Sequence, residues 1–228
     1  MRFDVSMLPD VGNLLVGILG GTGDQGRGLA MRLASAGQRI LIGSRTSERA
    51  AAAAKEVAVL TGGAVEGDTN FDVASRCDVV IVAVPYEGHA ETLASLREPL
   101  AGKIVVDCVN PLGFDKKGPF ILRVPEGSVA EQAASILPDS RVCAAFHHVS
   151  AELLTDPSVE QMDLDVLVLG DDREAVRVVQ ALAARIPGMR GLHAGRLRNA
   201  GQVEALTANL ISINKRYGAH AGIRVTDV

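Results

Sequence analysis

A glycine-rich turn directly follows a short, continuous apolar run, and this junction constrains the possible folds more than any other feature of the sequence. Residues 14–19 read Leu-Leu-Val-Gly-Ile-Leu, which is typical of a strand buried on both faces. Residues 21–26 have the spacing G-x-G-x-x-G, and residues 25–36 then show helical spacing of apolar side chains. A glycine turn between a strand and a helix predicts a phosphate-binding turn.

The chemistry of such a turn explains why glycines are needed at this spacing. The first glycine permits the tight turn, the second lets backbone N–H groups approach a pyrophosphate, and the third lets the helix pack near the strand. The helix N-terminus adds unpaired N–H groups and a partial positive charge. The alternative is a glycine-rich turn that binds no ligand. The expected cofactor contacts in this segment are Gly21, Thr22, Gly23, Asp24, Gln25 and Gly26.

The end of the second predicted strand indicates which dinucleotide is bound. An NAD enzyme usually carries Asp or Glu there to accept from the ribose 2′-OH. This chain instead reads Gly43-Ser44-Arg45, with Arg49 one helical turn further on. Ser44 and the two guanidiniums can bind a 2′-phosphate, so we expect NADP(H). The alternative is that Arg45 and Arg49 belong to the solvated face of an Ala-rich helix.

The apolar period changes repeatedly along the chain, which predicts an α/β fold. We expect a Rossmann-type doubly wound, mostly parallel sheet, with a smaller C-terminal α/β extension that ends in a long helix. The segment 114–126 is polar and contains Gly and Pro, so it is predicted to be a loop. The further predicted strands are 39–43, 64–67, 79–84, 103–107, 141–146, 164–170 and 190–193, and the further predicted helices are 47–60, 89–96, 128–137, 171–185 and 197–217.

This pattern divides the chain into three predicted parts. Residues 1–13 form an N-terminal appendix, residues 14–145 an NADP-binding Rossmann domain, and residues 146–228 a smaller C-terminal domain. In open α/β sheets, ligands bind beyond the carboxyl ends of the strands. The segments that follow two central strands are therefore candidate lining segments, although Tyr86 is alternatively an ordinary loop aromatic. The residues expected there are Val84, Pro85, Tyr86, His89, Asn110, Pro111 and Leu112.

Composition excludes several classes of function. Of the 228 residues, Lys and Arg number 23 and Asp and Glu 27, so the formal charge is −4 and the chain lacks a general basic footprint for nucleic acid. The three cysteines are widely spaced and odd in number, which fits neither a disulfide framework nor a zinc knuckle. The charge-free stretch 11–23 is shorter than the ~18 residues that cross a bilayer. We therefore expect a cytoplasmic protein that binds neither membrane nor nucleic acid.

Several motifs occur together in one order, and together they resemble a known family. The sequence is similar to the NADPH-dependent coenzyme F420 reductases, also called F420H2:NADP oxidoreductases, from about residue 14 to the C-terminus. The block between residues 194 and 224 carries the most specific part of the resemblance. The motifs are 19–23 LGGTG, 43–45 GSR, 84–86 VPY, 145–147 AFH, 194–199 AGRLRN, 203–207 VEALT and 221–224 AGIR.

The resemblance implies an activity and a set of contacts. It implies reversible, ring-to-ring hydride transfer between NADP(H) and the 8-hydroxy-5-deazaflavin coenzyme F420, in a homodimer whose C-terminal helices form the interface and whose smaller domain completes the deazaflavin site. It places residues 22–25, Ser44, Arg45 and Arg49 on NADP, and Ala221 on the deazaflavin. Residues 1–13 and His148 depart from the pattern. The residues that it places around the nicotinamide are Tyr86, His89, Asn110, Leu112 and Ala151.

Direct hydride transfer needs orientation rather than acid–base groups, so no catalytic side chain is predicted. His147 is a candidate pocket residue or an ordinary packing residue. His147 and His148 are expected on opposite faces of a strand, so no metal site is predicted. The acidic coenzyme tail calls for a local basic patch, for which the candidates are Arg196, Arg198, Lys215, Arg216, Arg224, Lys116 and Lys117.

Two other functions remain open from the residues alone. The first is NADPH-dependent reduction of another acceptor on the same fold, such as FMN, FAD, ferric iron or an imine. The second is a non-catalytic module that senses NADPH and docks a partner.

Overall fold

A single sheet of eight strands organises the molecule, as the alternating pattern predicts. The computed structural model describes residues 3–228. The strands, in chain order, are β1 (Leu15–Leu19), β2 (Arg39–Ser44), β3 (Val65–Thr69), β4 (Val79–Val82), β5 (Ile104–Asp107), β6 (Leu112–Asp115), β7 (Gly118–Ile121), β8 (Arg141–Ala144), β9 (Leu164–Gly170) and β10 (Met189–Gly195). The sheet has the order β10-β9-β8-β5-β4-β1-β2-β3, and β6 and β7 form a separate hairpin.

Helices cover both faces of the sheet and bury two apolar cores. The helices are α1 (Asp24–Ser35), α2 (Ser47–Thr61), α3 (Asn70–Arg76), α4 (His89–Ser95), α5 (Arg97–Leu100), α6 (Val129–Ile136), α7 (Ala151–Thr155), α8 (Arg173–Arg185) and α9 (Ala200–Tyr217). Helices α1, α2 and α8 contribute to one core, and α3, α4, α6 and α9 contribute to the other. The central strands are buried on both sides, which is why they read as continuous apolar runs.

The sheet is mostly parallel, but its last two strands run the other way. β9 pairs with β8 in antiparallel fashion, while β10 is parallel to β9. The predicted fold class is confirmed. β9 and β10 extend the same sheet beyond residue 145, and the division into two domains at that point stays a prediction. β8 ends at Ala144 and shares only two residue pairs with β9, so the first five residues of β9 extend past the end of β8.

Some short elements differ from the sequence-based expectation. The segment 114–126 is not simply a loop, because β6 and β7 pair through its first half. The strand predicted over 141–146 ends at Ala144, and the chain then turns through Phe146, whose φ is 64°. Helices α3, α5 and α7 were not predicted. Each has seven residues or fewer, so the apolar period that predicts a helix is short and weak.

The N-terminal appendix packs beside the start of β2. Its described part, residues 3–13, contains a short 3-10 turn at Val5–Met7. Val11 is buried, and its carbonyl oxygen accepts a 3.0 Å hydrogen bond from the Gln38 amide. Residues 1 and 2 of this predicted part lie outside the described residues. Between residues 3 and 228, no helix has the length and apolar character needed to span a bilayer.

Candidate functional site

The turn between β1 and α1 is tight, but its left-handed residue is Gly20, one position before the predicted motif, and not Gly21. Gly20 has a φ of 68°, and the Gly23 amide donates to the Gly20 carbonyl at 3.1 Å. A Cβ atom at Gly26 would lie 2.8 Å from the Gly21 Cα, so a larger residue would push α1 away from the strand. No side chain caps the N-terminus of α1, which leaves its first N–H groups open to an anion.

A cleft of about 670 Å³ opens beside this turn, and we call it the donor cleft. Ser44 is buried at its edge, whereas the Arg45 and Arg49 side chains are exposed. Within residues 3–228, neither guanidinium has an ion-pair partner. Asn70, at the start of α3, supports the turn by accepting from the Gly20 amide at 3.4 Å. The cleft is lined by Gly20, Thr22, Gly23, Asp24, Gln25, Ser44, Arg45, Arg49, Asn70, Ala83, Val84, Pro85, Gly88 and Thr92.

A smaller cavity of about 220 Å³, the junction pocket, lies at the ends of β4 and β5. Gln25 lines it as well as the donor cleft, and its amide donates to the Phe146 carbonyl at 3.2 Å. The Asn110 amide donates to the His147 carbonyl at 2.8 Å, which fixes the loop after β5. The junction pocket is lined by Gln25, Ala83, Val84, Pro85, Tyr86, Cys108, Val109 and Asn110.

A second large cleft of about 630 Å³ lies against α9, and we call it the α9 cleft. Gln25 lines all three cavities and Asn110 lines this cleft and the junction pocket, so the three cavities are neighbours at the carboxyl ends of the parallel strands. The cleft is lined by Gln25, Asn110, Leu112, His147, His148, Val149, Ser150, Ala151, Glu152, Thr207, Leu210, Ile211, Asn214, Lys215, Gly218, Ala219, His220 and Ala221.

The two adjacent histidines lie in the turn after β8, not on a strand. Both therefore border the α9 cleft, and the expectation that they face opposite sides of a strand is wrong. The His147 carbonyl also accepts from the Thr207 hydroxyl at 3.2 Å. His148 accepts from the Leu167 amide through Nε2 at 3.3 Å. Burial lowers the pKa of His147 and of His148 to about 4, so both rings are neutral near pH 7.

His89 is not brought to any of the three cavities. It is fully buried, with Nε2 2.6 Å from Asp107 Oδ2 and Nδ1 3.1 Å from Gln132 Oε1. Burial disfavours its charged form, but the hydrogen bond and charge of Asp107 outweigh this effect and raise the pKa of His89. Its Asp107 partner also accepts from the Val109 amide at 3.0 Å. His89 therefore supports the loop that lines the junction pocket.

The remaining predicted residues divide into lining and supporting positions. Gly21 and Gly26 shape the turn without lining a cavity, and the Pro111 carbonyl accepts from Leu122 at 2.7 Å beside the hairpin.

Of the seven basic candidates, Lys215 lines the α9 cleft, whereas Arg224 and Arg196 are paired with nearby aspartates. In the part of the chain that is described, no cluster of three His, Cys, Asp or Glu side chains could hold a metal ion.

Sequence reasoning missed most of the α9 cleft and several residues of the donor cleft. The cleft-facing residues of α9 follow a helical period of their own, Thr207, Leu210, Ile211, Asn214 and Lys215. This period is present in the sequence, but it mixes polar and apolar residues. It is therefore harder to recognise than the purely apolar stripe of the same helix. Asn70, Gly88 and Thr92 gave no local signal.

Comparisons with known proteins agree with this geometry. A family model described as NADP oxidoreductase, coenzyme F420-dependent, matches residues 15–111. The F420-dependent NADP reductase of Methanothermobacter thermautotrophicus is 41 % identical over 221 residues, which cover 93 % of this chain and 95 % of the relative. The enzyme of the same name from Methanocaldococcus jannaschii is 42 % identical and covers 93 % of this chain and 98 % of the relative.

Solved structures give the same relationship. A crystal structure from Arthrobacter sp. FB24, described as a proposed F420-dependent NADP reductase, superposes with a TM-score of 0.78 at 28 % identity, covering 94 % of this chain and all of that one. The similarity to the curated relatives extends over nearly the full length of both chains and is not confined to the nucleotide-binding turn. The chain belongs to the family of F420-dependent NADP reductases.

Proposed function

We propose that this protein transfers a hydride between NADP(H) and coenzyme F420, with NADP in the donor cleft and the deazaflavin in the α9 cleft. The observation that carries the proposal is the adjacency of the three cavities, each of which is lined by Gln25. When bound, the two coenzymes supply all the redox chemistry. The protein must then hold them in contact and exclude water.

The donor cleft is suited to a 2′-phosphorylated adenosine. Arg45 and Arg49 have no carboxylate partner within the described residues, so their charge is available to a ligand. Ser44 adds a hydroxyl at the buried edge of the cleft. The open N-terminus of α1 is available to the pyrophosphate. The absence of a carboxylate at the end of β2 disfavours NAD, which would leave the guanidiniums unpaired.

The junction pocket and the α9 cleft provide the surfaces for the two rings. Val84, Pro85 and Cys108 wall the junction pocket with apolar groups. The α9 cleft combines apolar side chains from Leu210 and Ile211 with Lys215, the basic side chain that we assign to the acidic coenzyme tail. His147 and Ala221 complete the proposed contacts with the deazaflavin ring, and Asn110 borders both ring sites. Leu112 and Ala151, which the resemblance places around the nicotinamide, line the α9 cleft and not the junction pocket.

The decisive experiment is a steady-state assay of the purified protein with F420 and with either NADPH or NADH, monitored by the absorbance of oxidised F420. We expect NADPH to be strongly preferred, and FMN and FAD to be poor acceptors. The Arg45→Ala variant should raise KM for NADPH about 10- to 150-fold, because a charge-assisted hydrogen bond contributes roughly 1.5–3 kcal/mol. Its kcat should change little, since the anchor acts in the ground state and the transition state alike.

Arg39→Ala is the matched control, because Arg39 is exposed at the opposite end of the same strand. It should leave KM for NADPH unchanged. Equal turnover with NADH would contradict the role given to Ser44, Arg45 and Arg49. Efficient turnover of FMN or FAD without F420 activity would instead favour a reductase of another acceptor. NADPH binding without turnover of any flavin would favour a sensing module.

We propose that the protein is a cytoplasmic homodimer. The hairpin β6–β7 packs on α9, and together they expose a set of large apolar side chains that we call the apolar face. These are Phe114, Ile121, Ile213 and Tyr217. Phe120 is also exposed, but it pairs with Gly113 and therefore projects from the opposite side of the hairpin to Phe114 and Ile121. Exposed large apolar side chains on neighbouring elements are typical of a protein interface. The three cysteines are buried and free, as suits a reducing compartment.

A further inference from the structure

The C-terminal tail after α9 forms one wall of the α9 cleft. Gly218 ends the helix in the left-handed conformation, with φ 60°. The Ala221 amide then donates to Asn214 Oδ1 at 2.6 Å, which turns the tail back along the helix end. Residues 218–221 all line the cleft. The position of this short segment therefore helps to set the width of the cleft.

Beyond the cleft, the tail runs beside the part of β9 that extends past the end of β8. β8 pairs with β9 only near Leu169 and Gly170. Further back along β9, the Leu167 amide is satisfied by His148, and the Asp165 amide donates to the Ile223 carbonyl at 2.7 Å. Unpaired backbone groups of a buried strand are costly, so the tail supplies a partner that β8 does not.

A single buried carboxylate holds the tail in this place. Asp165 has no exposed surface, and its two oxygens accept four hydrogen bonds. Two come from Arg190, on the neighbouring strand β10, at 2.6 and 2.7 Å. The other two come from the tail: Arg224 Nη1 at 3.1 Å and the Val225 amide at 2.6 Å. Arg190 also donates to the Val225 carbonyl at 2.9 Å, so the tail is bonded to both members of the ion pair.

We propose that Asp165 is a positioning residue for the hydride acceptor, because it latches residues 223–225 and thereby fixes the wall formed by residues 218–221. The inference rests on the proposed placement of F420 in the α9 cleft. Asp165 touches neither cleft itself. Its effect should be confined to the acceptor, because none of the residues 218–225 lines the donor cleft.

The test is the Asp165→Asn substitution, which keeps the shape of the side chain. The amide keeps one acceptor oxygen and replaces the other by an NH2 group. Because all four partners of the Asp165 carboxylate are donors, about half of the hydrogen bonds that hold the tail are lost. We expect KM for F420 to rise about tenfold, as for the loss of one or two charge-assisted bonds, while KM for NADPH stays within about twofold. Hydrogen exchange of the peptide 218–228 should become faster, which reports release of the tail independently of activity.

Asp163→Asn is the matched control. Asp163 is two residues away, is 84 % exposed, and contacts the tail only through Arg224 at 3.0 Å. It makes the same change of charge but should alter neither KM nor exchange. Arg224→Gln serves if Asp165→Asn does not fold, because the Arg224 side chain is about half exposed and its loss removes one bond of the latch. It should produce a smaller change in the same direction.

Three outcomes would overturn the proposal. The first is faster exchange of the tail with an unchanged KM for F420. The second is an equal rise of KM for F420 and for NADPH, which would indicate a general structural defect. The third is unchanged exchange of the tail in Asp165→Asn. Failure of the proposed function is distinguishable, because the wild-type protein would then turn over no F420 while its tail remained protected from exchange.

Discussion

At the scale of single residues, the buried ring of His147 stands out because its polar atoms are unsatisfied. Both of its nitrogens are buried and have no hydrogen-bond partner among residues 3–228. An unsatisfied buried polar group costs about 1–3 kcal/mol, so such a group usually has a function. Because burial lowers the pKa of His147 to about 4, the ring is neutral and can both donate and accept. His147 borders the α9 cleft, and we propose that its ring turns toward the cleft when the acceptor binds, so that the acceptor supplies the missing partner.

Replacing His147 with Phe separates binding from stability. The variant removes the unpaired nitrogens and keeps a flat ring, so we expect the free energy of unfolding to be unchanged or higher. KM for F420 should rise about 3- to 10-fold, the range for one neutral hydrogen bond of 0.5–1.5 kcal/mol. Denaturant unfolding and steady-state kinetics measure the two effects.

His148→Phe provides the contrast for this prediction. It leaves the Leu167 amide without its acceptor, so it should lower the free energy of unfolding by about 1–3 kcal/mol. A His147→Phe variant that lost stability while keeping its KM for F420 would show that the ring is only a packing group.

The residues of the two clefts differ in how far sequence could predict them. Several of those in the donor cleft belong to two short motifs, the glycine turn after β1 and the end of β2, whose residue types already indicate a phosphate site. Thr22, Ser44 and Arg45 were therefore predictable. The α9 cleft combines a turn after β8, one face of α9 and the C-terminal tail, which are far apart in sequence. His147 and Ala221 could be proposed from resemblance, whereas His220 could not be anticipated.

At the scale of elements, a buried carboxylate joins α9 to α6. Glu204 is 1 % exposed and accepts from the Val129 and Ala130 amides, at 3.0 and 3.1 Å, at the N-terminus of α6. It thereby fixes the helix that carries Thr207 and the rest of the cleft-lining face. Burial, opposed by the two amide hydrogen bonds, raises the pKa of Glu204 to about 7, and the charge of Asp107 adds to the rise.

The raised pKa of Glu204 predicts how the free energy of unfolding changes with pH. Between the ordinary value of 4.5 and about 7, the folded protein holds a proton on Glu204 that the unfolded chain releases. Stability from this group is therefore present at low pH, falls as pH rises through that interval, and is constant above it. Denaturant unfolding from pH 5 to 8 should show wild type losing stability relative to Glu204→Gln up to about pH 7.

The neighbouring carboxylate supplies the control. Glu131→Gln makes the same change on the first turn of α6 but leaves Glu204 in place, so its pH profile should follow that of wild type. A wild-type advantage over Glu204→Gln that grew with rising pH would contradict the raised pKa. His147 and His148 act in the opposite direction below pH 6.5, and they cancel in this comparison because both proteins contain them.

Whether the sequence predicted an element depended on the length of the element and on how it is buried. Strands buried on both faces and helices with several turns carry long signals, and β1, β4 and α8 were predicted to within two residues. The antiparallel direction of β9 was not predicted, because strand direction depends on how the preceding connection crosses the sheet. In the hairpin, Phe114 and Phe120 are exposed, so burial did not impose an alternating pattern on it.

At the scale of the whole molecule, exposed apolar side chains are concentrated on the hairpin and the second half of α9. The stripe of α9 that begins at Val203 is buried, but its continuation through Ile213 and Tyr217 is exposed. A stripe that leaves the core of its own chain requires another surface, and a second copy of the same face satisfies this in a closed, two-fold arrangement. Because the hairpin begins at Leu112, which lines the α9 cleft, the proposed interface lies beside the acceptor site.

The combined substitution Phe114→Glu and Tyr217→Glu should therefore yield a monomer. Two carboxylates per chain, four in the dimer, would be buried on the apolar face, which costs several kcal/mol per ion. Sedimentation velocity of the wild-type protein should give twice the mass of one chain. Val59→Glu with Leu60→Glu is the control, because these exposed apolar residues lie on α2, away from the apolar face. The control should remain dimeric, and a variant of the apolar face that stayed dimeric would move the interface elsewhere.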